Sequence, residues 1–376
     1  MARYTAEYLD SEPIDAPPLP DAFSWSRLRR SLLLIAAIVA VVVALITLVP
    51  GLASVRDRFE GGKPAWLVLA AALQVLSCAS YVVAFRSVFC QQMSWRTSTE
   101  IGLAELAANS PFSVGGAGGR ALGAWILRRG GVSAGHIARR TVAFFLLTSL
   151  ANVTLLIAAG LALTTGVLSG APSLLFGVVP AAAGLAAIGL ALAAKPVAGR
   201  LARWTGRPRV ETALSHLANG VSEAVMLLRT RQPEIAAGTF GYVLFDVAML
   251  GVCFTAFGNE VPPAGVLVLA YLIGQLGGLI PIPGGIGGVD GGLIGTLVLY
   301  GVDPADAAVA VLAYRGLLLT IPAALGLPAL AIIRRRLRTE EHDIAACSPG
   351  EEVDVLGRGP VRLGVPPRRP VGPQAG

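Results

Sequence analysis

Two apolar stretches of this chain are interrupted by glycine and proline, and they match each other at a constant offset of 170 positions. Proline breaks a membrane helix, and glycine permits a tight turn there. Such a pair in two halves of a chain is the best sequence pointer to a transport site. The equivalent positions are Pro111 and Pro281, Gly115 and Gly285, Gly118 and Gly288, Arg120 and Asp290, and Gly131 and Gly301.

The composition places the chain in a membrane. Hydrophobic residues make up 54% of it and charged residues 14%, and the mean hydropathy is +0.68, far from soluble-domain averages. A helix that crosses the hydrocarbon core needs about 20 apolar residues. Runs of that order lie at 31–50, 64–89, 141–165, 173–194, 235–257 and 305–333. The first run follows a long acidic leader, so we interpret it as a retained span and not as a signal peptide.

The predicted fold is an all-α polytopic membrane protein with about six full transmembrane helices and two inverted-repeat re-entrant hairpins, near 99–128 and 263–300. Most hairpin arms are too short to cross a bilayer as helix. Each hairpin precedes a long apolar helix, which gives a repeat unit of roughly 60 residues. The predicted domains are a disordered tail 1–30, a transmembrane domain 31–335 with a cytoplasmic amphipathic loop 195–234, and a disordered tail 336–376.

The distribution of Lys and Arg predicts the orientation. Most of the 30 basic residues fall on one side when both termini are placed in the cytoplasm. The net charge of +7 is therefore a topological signal and an attraction to anionic inner-leaflet lipids, and no nucleic-acid partner is needed to explain it. The Arg, Ala and Gly bias suggests a GC-rich bacterial genome, which predicts the bacterial plasma membrane.

In this orientation the two hairpins enter from opposite faces, and their tips meet near the midplane. Broken backbone is tolerated at that depth only where it is packed in protein or lines a wet cavity. The helix that begins after each tip presents a positive dipole end, which suits an anionic group such as a lipid phosphate. The alternative is that the glycines only permit close helix packing. The candidate tip residues are Pro111, Gly115, Gly118, Pro281, Pro283, Gly284, Gly285, Gly287 and Gly288.

Ionisable residues inside apolar segments are the second functional signal, because such charges are costly in a bilayer. The candidates are Glu100, Glu105, Arg120, Asp246, Asp290 and Arg315. We expect Arg120 and Asp290, at equivalent positions, to be partners or to face one cavity. Arg315 is expected to pair with Asp290 or Asp246, or to hold a phosphate. The alternative is a structural ion pair that fixes helix register.

The second hairpin and the helix after it resemble a known family. The sequence Pro-Ile-Pro-Gly-Gly-Ile-Gly-Gly-Val-Asp at 281–290, Gly301-Val302, Ala313-Tyr314-Arg315, Pro322 and Gly326 are similar to the membrane domain of the lysylphosphatidylglycerol synthase/flippase family. The resemblance covers roughly 30–335. It implies movement of an aminoacylated or other phospholipid, or of a lipid-linked compound, between leaflets. Asp290 stands where the family commonly has glutamate.

The resemblance does not extend to the family's synthase activity, because no large soluble transfer domain follows the last predicted span. The three histidines have no metal spacing, and the chain has no nucleophile elbow or phosphate-binding loop. We therefore expect no catalytic residue, metal or cofactor, and interpret the four cysteines as inert. The alternative to a flippase is a non-transporting membrane partner of a separately encoded synthase or glycosyltransferase.

Overall fold

The structure is a computed structural model that describes residues 61–112, 117–168, 174–189, 220–230, 232–279, 285, 287–345 and 347. These residues form helices and connecting turns, without strands, so the predicted all-α class is confirmed. The predicted span at 31–50 and the predicted tail 1–30 lie outside the described residues.

The described helices, in chain order, are α1 (Pro64–Phe89), α2 (Trp95–Phe112), α3 (Ala117–Arg129), α4 (Ala134–Thr164), α5 (Leu175–Gly189), α6 (220–229), α7 (Pro233–Ala256), α8 (Ala264–Leu276), α9 (Gly288–Leu299) and α10 (Pro304–Ala345). Among them α1, α4, α7 and the Pro304–Ile333 part of α10 are long and apolar enough to cross a membrane. They coincide with four of the predicted spans. The predicted span 173–194 is described only in part, as α5.

Local sequence signals set where these helices begin. Proline occupies the first turn of α1 and of α7, where its missing N–H costs nothing. The Ser133 hydroxyl accepts a hydrogen bond from the His136 N–H at 3.3 Å and caps α4. Asp303 does the same for α10 through the Ala305 N–H at 3.0 Å. Ser and Asp are among the residue types that commonly cap helices.

The repeat is longer than the predicted unit of one hairpin and one span. Adding 170 to the first residues of α1, α2, α3 and α4 gives the first residues of α7, α8, α9 and α10 to within one position. Each half is thus a span, a broken hairpin and a second span. We call α2 with α3 hairpin 1, and α8 with α9 hairpin 2.

The two halves run in opposite directions. The equivalent helices α1 and α7 form the most extensive contact among the described helices. The Lys63 N–H donates to the Ala256 carbonyl at 2.7 Å, and the Ser77 hydroxyl donates to the Tyr242 carbonyl at 3.1 Å. The start of α1 therefore meets the end of α7, which makes the pair antiparallel. Equivalent helices that pack antiparallel confirm the inverted repeat.

Each hairpin packs against the second span of the other half: α2 against α10, and α8 against α4. Glycines make these approaches close. A Cβ on Gly326 would collide with the Leu103 carbonyl, and one on Gly265 would lie 3.1 Å from Leu163. The apolar core forms two clusters, and Tyr242 packs against both. The arms of each hairpin are therefore packed against spans of both halves.

Two features at one end of the bundle differ from the sequence expectations. Helix α10 continues to Ala345, into the predicted tail 336–376, and Ile344 is buried against Gly130. Cys90 and Cys347 form a disulfide with a Cα–Cα distance of 5.5 Å. The prediction that all four cysteines are inert is therefore wrong for this pair.

The predicted amphipathic loop 195–234 is described only from residue 220, apart from residue 231. Its described part forms α6, with Ala224 and Leu227 buried in the core. Glu223 pairs with Arg140 of α4 at 3.1 Å. These contacts hold α6 against the bundle, as expected of a helix that covers one end of it.

Candidate functional site

The break in hairpin 2 depends on glycine. After α8 a single turn of 3-10 helix covers Gly277–Leu279, and α9 begins at Gly288. Gly285 and Gly287 have φ angles of 64° and 87°, a left-handed conformation that other residues rarely adopt. The two arms also touch through backbone, because a Cβ on Gly277 would collide with the Gly288 carbonyl group. The predicted tip residues Pro281, Pro283 and Gly284 lie outside the described residues.

A buried ion pair lies at the start of α9. The Arg315 Nε donates to Asp290 Oδ1 at 2.6 Å, and the two side chains are 9% and 17% exposed. The other carboxylate oxygen, Asp290 Oδ2, accepts the Gly287 N–H at 2.8 Å. Asp290 therefore caps its own helix and holds Arg315 beside the break, since Arg315 Nη2 lies 3.7 Å from the position of a Cβ on Gly285.

Hairpin 1 has a related arrangement with different chemistry. The Gly119 N–H donates to Asn109 Oδ1 across the break at 2.9 Å, which joins the two arms. The Arg120 guanidinium lies 5.2 Å from the centre of the Phe145 ring. Of the predicted tip residues, Gly118 lies in the first turn of α3, Pro111 belongs to the end of α2, and Gly115 is outside the described residues.

The same two positions touch each other in both halves. Arg120 corresponds to Asp290 and Phe145 to Arg315 at the offset of 170. The structure joins 290 to 315 by an ion pair and 120 to 145 by a cation–π contact. The expected partnership between Arg120 and Asp290 is therefore not formed, because each side chain contacts the following span of its own half. The expected pairing of Arg315 with Asp290 is formed.

Asp246 lies in a separate buried layer on α7. Its side chain is 1% exposed, and its Oδ2 accepts the Tyr271 hydroxyl of hairpin 2 at 3.0 Å. Its Oδ1 has no hydrogen-bond partner among the described residues. Tyr314 lies within electrostatic range of both Asp246 and Arg315. Asp246 therefore does not join the ion pair, and no hydrogen bond among the described residues links the Tyr314 hydroxyl to either group.

The structure adds Glu105 of α2 to the buried polar groups. Its position in an apolar segment is a sequence signal, but the predicted pairings involve only Arg120, Asp246, Asp290 and Arg315. Glu105 Oε2 accepts the Tyr81 hydroxyl at 2.7 Å. The tyrosine partners Tyr81 and Tyr271 gave no sequence signal, since an isolated aromatic residue in a membrane helix usually packs or lies at the interface.

Two other possible sites can be compared with the hairpins. A cavity of about 290 Å³ lies between α4, α6 and α7, and it is lined mainly by apolar residues, none of which belongs to the predicted site. Within the described ranges, no group of three or more His, Cys, Asp or Glu side chains is placed to hold a metal ion. The buried charges beside the hairpin breaks are therefore the candidate site.

Long apolar spans, two opposed broken hairpins and buried charges beside the breaks define a multi-pass membrane protein. The family described as the lysylphosphatidylglycerol synthase TM region has a model that matches residues 32–326. The chain belongs to this family, and the resemblance inferred from the hairpin motif is confirmed. Comparisons with curated proteins and with solved structures gave no match. Family membership indicates a function related to membrane lipids.

Proposed function

We propose that the protein is a lipid translocase that moves an anionic or aminoacylated phospholipid, or a lipid-linked compound, between the leaflets of a bacterial plasma membrane. The observation that carries the proposal is the Asp290–Arg315 pair beside the break of hairpin 2. Its two charges lie where the helix is interrupted, within an inverted repeat whose halves can open in turn toward opposite faces.

The pair offers a way to bind a headgroup without leaving a charge unpaired. A lipid phosphate replaces the carboxylate as the partner of Arg315, whose planar guanidinium matches phosphate oxygens. An ammonium group on the same headgroup replaces Arg315 as the partner of Asp290. An aminoacylated phosphatidylglycerol carries both groups, so it exchanges one internal ion pair for two ion pairs with the ligand. A purely anionic lipid satisfies only Arg315.

The remaining predicted residues have supporting roles in this proposal. The start of α9 at Gly288 and the start of α3 near Gly118 provide positive dipole ends for the phosphate. Arg120 provides a second cation that is already held against Phe145. Asp246 is the second carboxylate available for a cationic headgroup part or a coupling proton, and it acts through Tyr271.

The proposed translocase has a defined topology and carries out no chemical reaction. Both termini are cytoplasmic, which keeps most Lys and Arg on the inner side. The protein moves its substrate without altering it. A separately encoded synthase is then the class of protein that supplies an aminoacylated lipid.

The test is leaflet exchange of fluorescent phospholipids in liposomes that contain the purified protein. Anionic, zwitterionic and lysyl-modified headgroups are compared, together with Arg315→Ala and Asp290→Asn. We expect headgroup-dependent exchange that both substitutions reduce. The matched control is Arg96→Ala, which removes the partly exposed Arg96–Glu100 pair of hairpin 1 and leaves exchange unchanged.

No exchange above protein-free liposomes for any of these headgroups would contradict phospholipid transport. The same assay repeated with a lipid-linked sugar then separates a different cargo from the non-transporting partner function. Equal loss of exchange in Arg96→Ala and Arg315→Ala would show that the buried pair has no special role.

A further inference from the structure

A second buried carboxyl group lies between the arms of hairpin 1, outside the Asp290–Arg315 site. Glu105 of α2 is 3% exposed, and its Oε2 accepts the Tyr81 hydroxyl of α1 at 2.7 Å. Its Oε1 occupies the space that a Cβ would fill on Gly123 of α3. The carboxyl group of α2 therefore contacts two other helices, α1 and α3, and Gly123 of α3 makes room for it.

Among the described residues, no cation is in contact with Glu105. The titratable or charged groups that face it are Tyr81 from α1 and Arg120 from α3. Arg120 lies three residues before Gly123, on the same side of α3, but its guanidinium is placed over the Phe145 ring. On the other side, α10 meets α2 through Gly326, against Leu103 and Ala107.

A carboxylate buried without a cation is strongly disfavoured in an apolar medium, and such a group takes up a proton instead. By contrast, Glu100 of the same helix accepts a hydrogen bond from Arg96 at 3.2 Å. The two glutamates of α2 therefore differ in their charge partners, although they lie only five positions apart. Glu105 is the one whose burial requires the neutral acid.

The position of Glu105 links its protonation to the packing of the arms. Its backbone carbonyl lies against Gly119, where a Cβ would collide with it, and the Gly119 N–H binds Asn109 at 2.9 Å. Separation of α2 from α3 would therefore uncover the carboxyl group.

We propose that Glu105 is a proton-binding site that is protonated while the arms of hairpin 1 are packed and deprotonated when they separate. On separation the carboxyl O–H bond breaks, the proton passes to water admitted between the arms, and that water solvates the carboxylate. This inference rests on the proposed transport function for the movement of the arms. Because the packed state binds the extra proton, acidic pH stabilises it and higher pH favours separation.

The proton site is tested first without transport, by infrared difference spectroscopy of the purified full-length protein. At neutral pH we expect the C=O band of protonated carboxyl groups in the wild type and in Glu100→Gln, and a weaker band in Glu105→Gln. Asp246, which is 1% exposed and has Tyr271 as its hydrogen-bond partner, contributes the remainder. The band unchanged in Glu105→Gln would overturn the inference.

The coupling is tested by the pH dependence of leaflet exchange in liposomes. For one proton the exchange rate of the wild type and of Glu100→Gln should rise with pH by up to about tenfold per pH unit. Glu105→Gln, which mimics the protonated acid, should exchange slowly at every pH. Tyr81→Phe removes a hydrogen bond that favours the carboxylate, so its profile should move to higher pH, and it remains informative if Glu105→Gln does not fold.

Outcomes of the two experiments separate the two proposals. A pH profile in Glu105→Gln or Tyr81→Phe identical to that of the wild type would overturn the coupling, whereas headgroup-dependent exchange would still support the translocase. The Glu105-dependent infrared band without any lipid exchange would support the proton site and contradict the translocase.

Discussion

The Asp290–Arg315 pair gives the sharpest prediction about stability, because each side chain compensates the largely buried charge of the other. Removal of one partner of a buried ion pair costs about 3–5 kcal/mol, since the remaining charge is left uncompensated. When Arg315 is replaced, Asp290 still accepts the Gly287 N–H at 2.8 Å. Its charge also still interacts favourably with the positive dipole end at the start of α9, which contributes about 0.5–1 kcal/mol. We therefore expect Arg315→Met to destabilise the protein by about 3 kcal/mol, near the lower end of that range.

Asp290→Asn should cost a similar amount, because Arg315 loses the carboxylate at 2.6 Å. The double variant contains neither charge, so its cost should not exceed that of the larger single change. The resulting coupling energy is at least about 2 kcal/mol, within the range found for residues in contact. The assay is denaturant unfolding of the four proteins in detergent micelles, followed by circular dichroism.

Arg96 and Glu100 provide the control cycle. The Arg96 side chain is 62% exposed, and an exposed pair at this helical spacing contributes only about 0.3–0.5 kcal/mol. Additive single changes at Asp290 and Arg315, with a coupling energy as small as in this control, would refute the view that burial makes the pair strong.

Two further predictions concern the glycines and the cysteines. Gly123→Ala should destabilise the protein by about 1–3 kcal/mol, as overpacking does, because the new Cβ collides with the Glu105 carboxyl oxygen across the hairpin. At Gly291 no atom lies within 4 Å of a new Cβ. Gly291→Ala should therefore be neutral or stabilising by up to about 1 kcal/mol. Equal unfolding free energies for these two variants would contradict the packing of hairpin 1. In non-reducing peptide mapping of air-oxidised protein, the peptides of Cys90 and Cys347 should be found linked. The peptide of Cys253, which is buried and free, should be found unlinked. Separate Cys90 and Cys347 peptides would contradict the docking of the end of α10.

The sequence predicts the architecture well because its signals are local. The apolar runs locate the long helices, and the Pro and Gly positions locate the breaks. Ser133 and Asp303 are recognisable as caps from their residue type alone. The offset of 170 also predicts the inverted repeat, although α1 and α7 carry no motif and their equivalence becomes visible only when the helices are paired.

Side-chain partners are predicted less well, because they depend on how the helices are packed. Sequence symmetry suggested that Arg120 and Asp290 meet, whereas each side chain reaches the following span of its own half. Glu105 looked like one of two similar acids on α2. Its environment differs from that of Glu100 only because Tyr81 and Gly123 arrive from other helices.

Equivalent positions of the two halves hold unlike pairs of residues, which is possible because both halves belong to one chain. Two identical half-length chains related by a two-fold axis would carry the same residues at both sites, so any substitution would appear twice. A single chain that contains both halves is free of this restriction: it holds Asp290 with Arg315 in one half and Arg120 with Phe145 in the other. Covalent linkage of the halves thus allows a fold with two-fold symmetry to hold an ion pair in one half and a cation against an aromatic ring in the other.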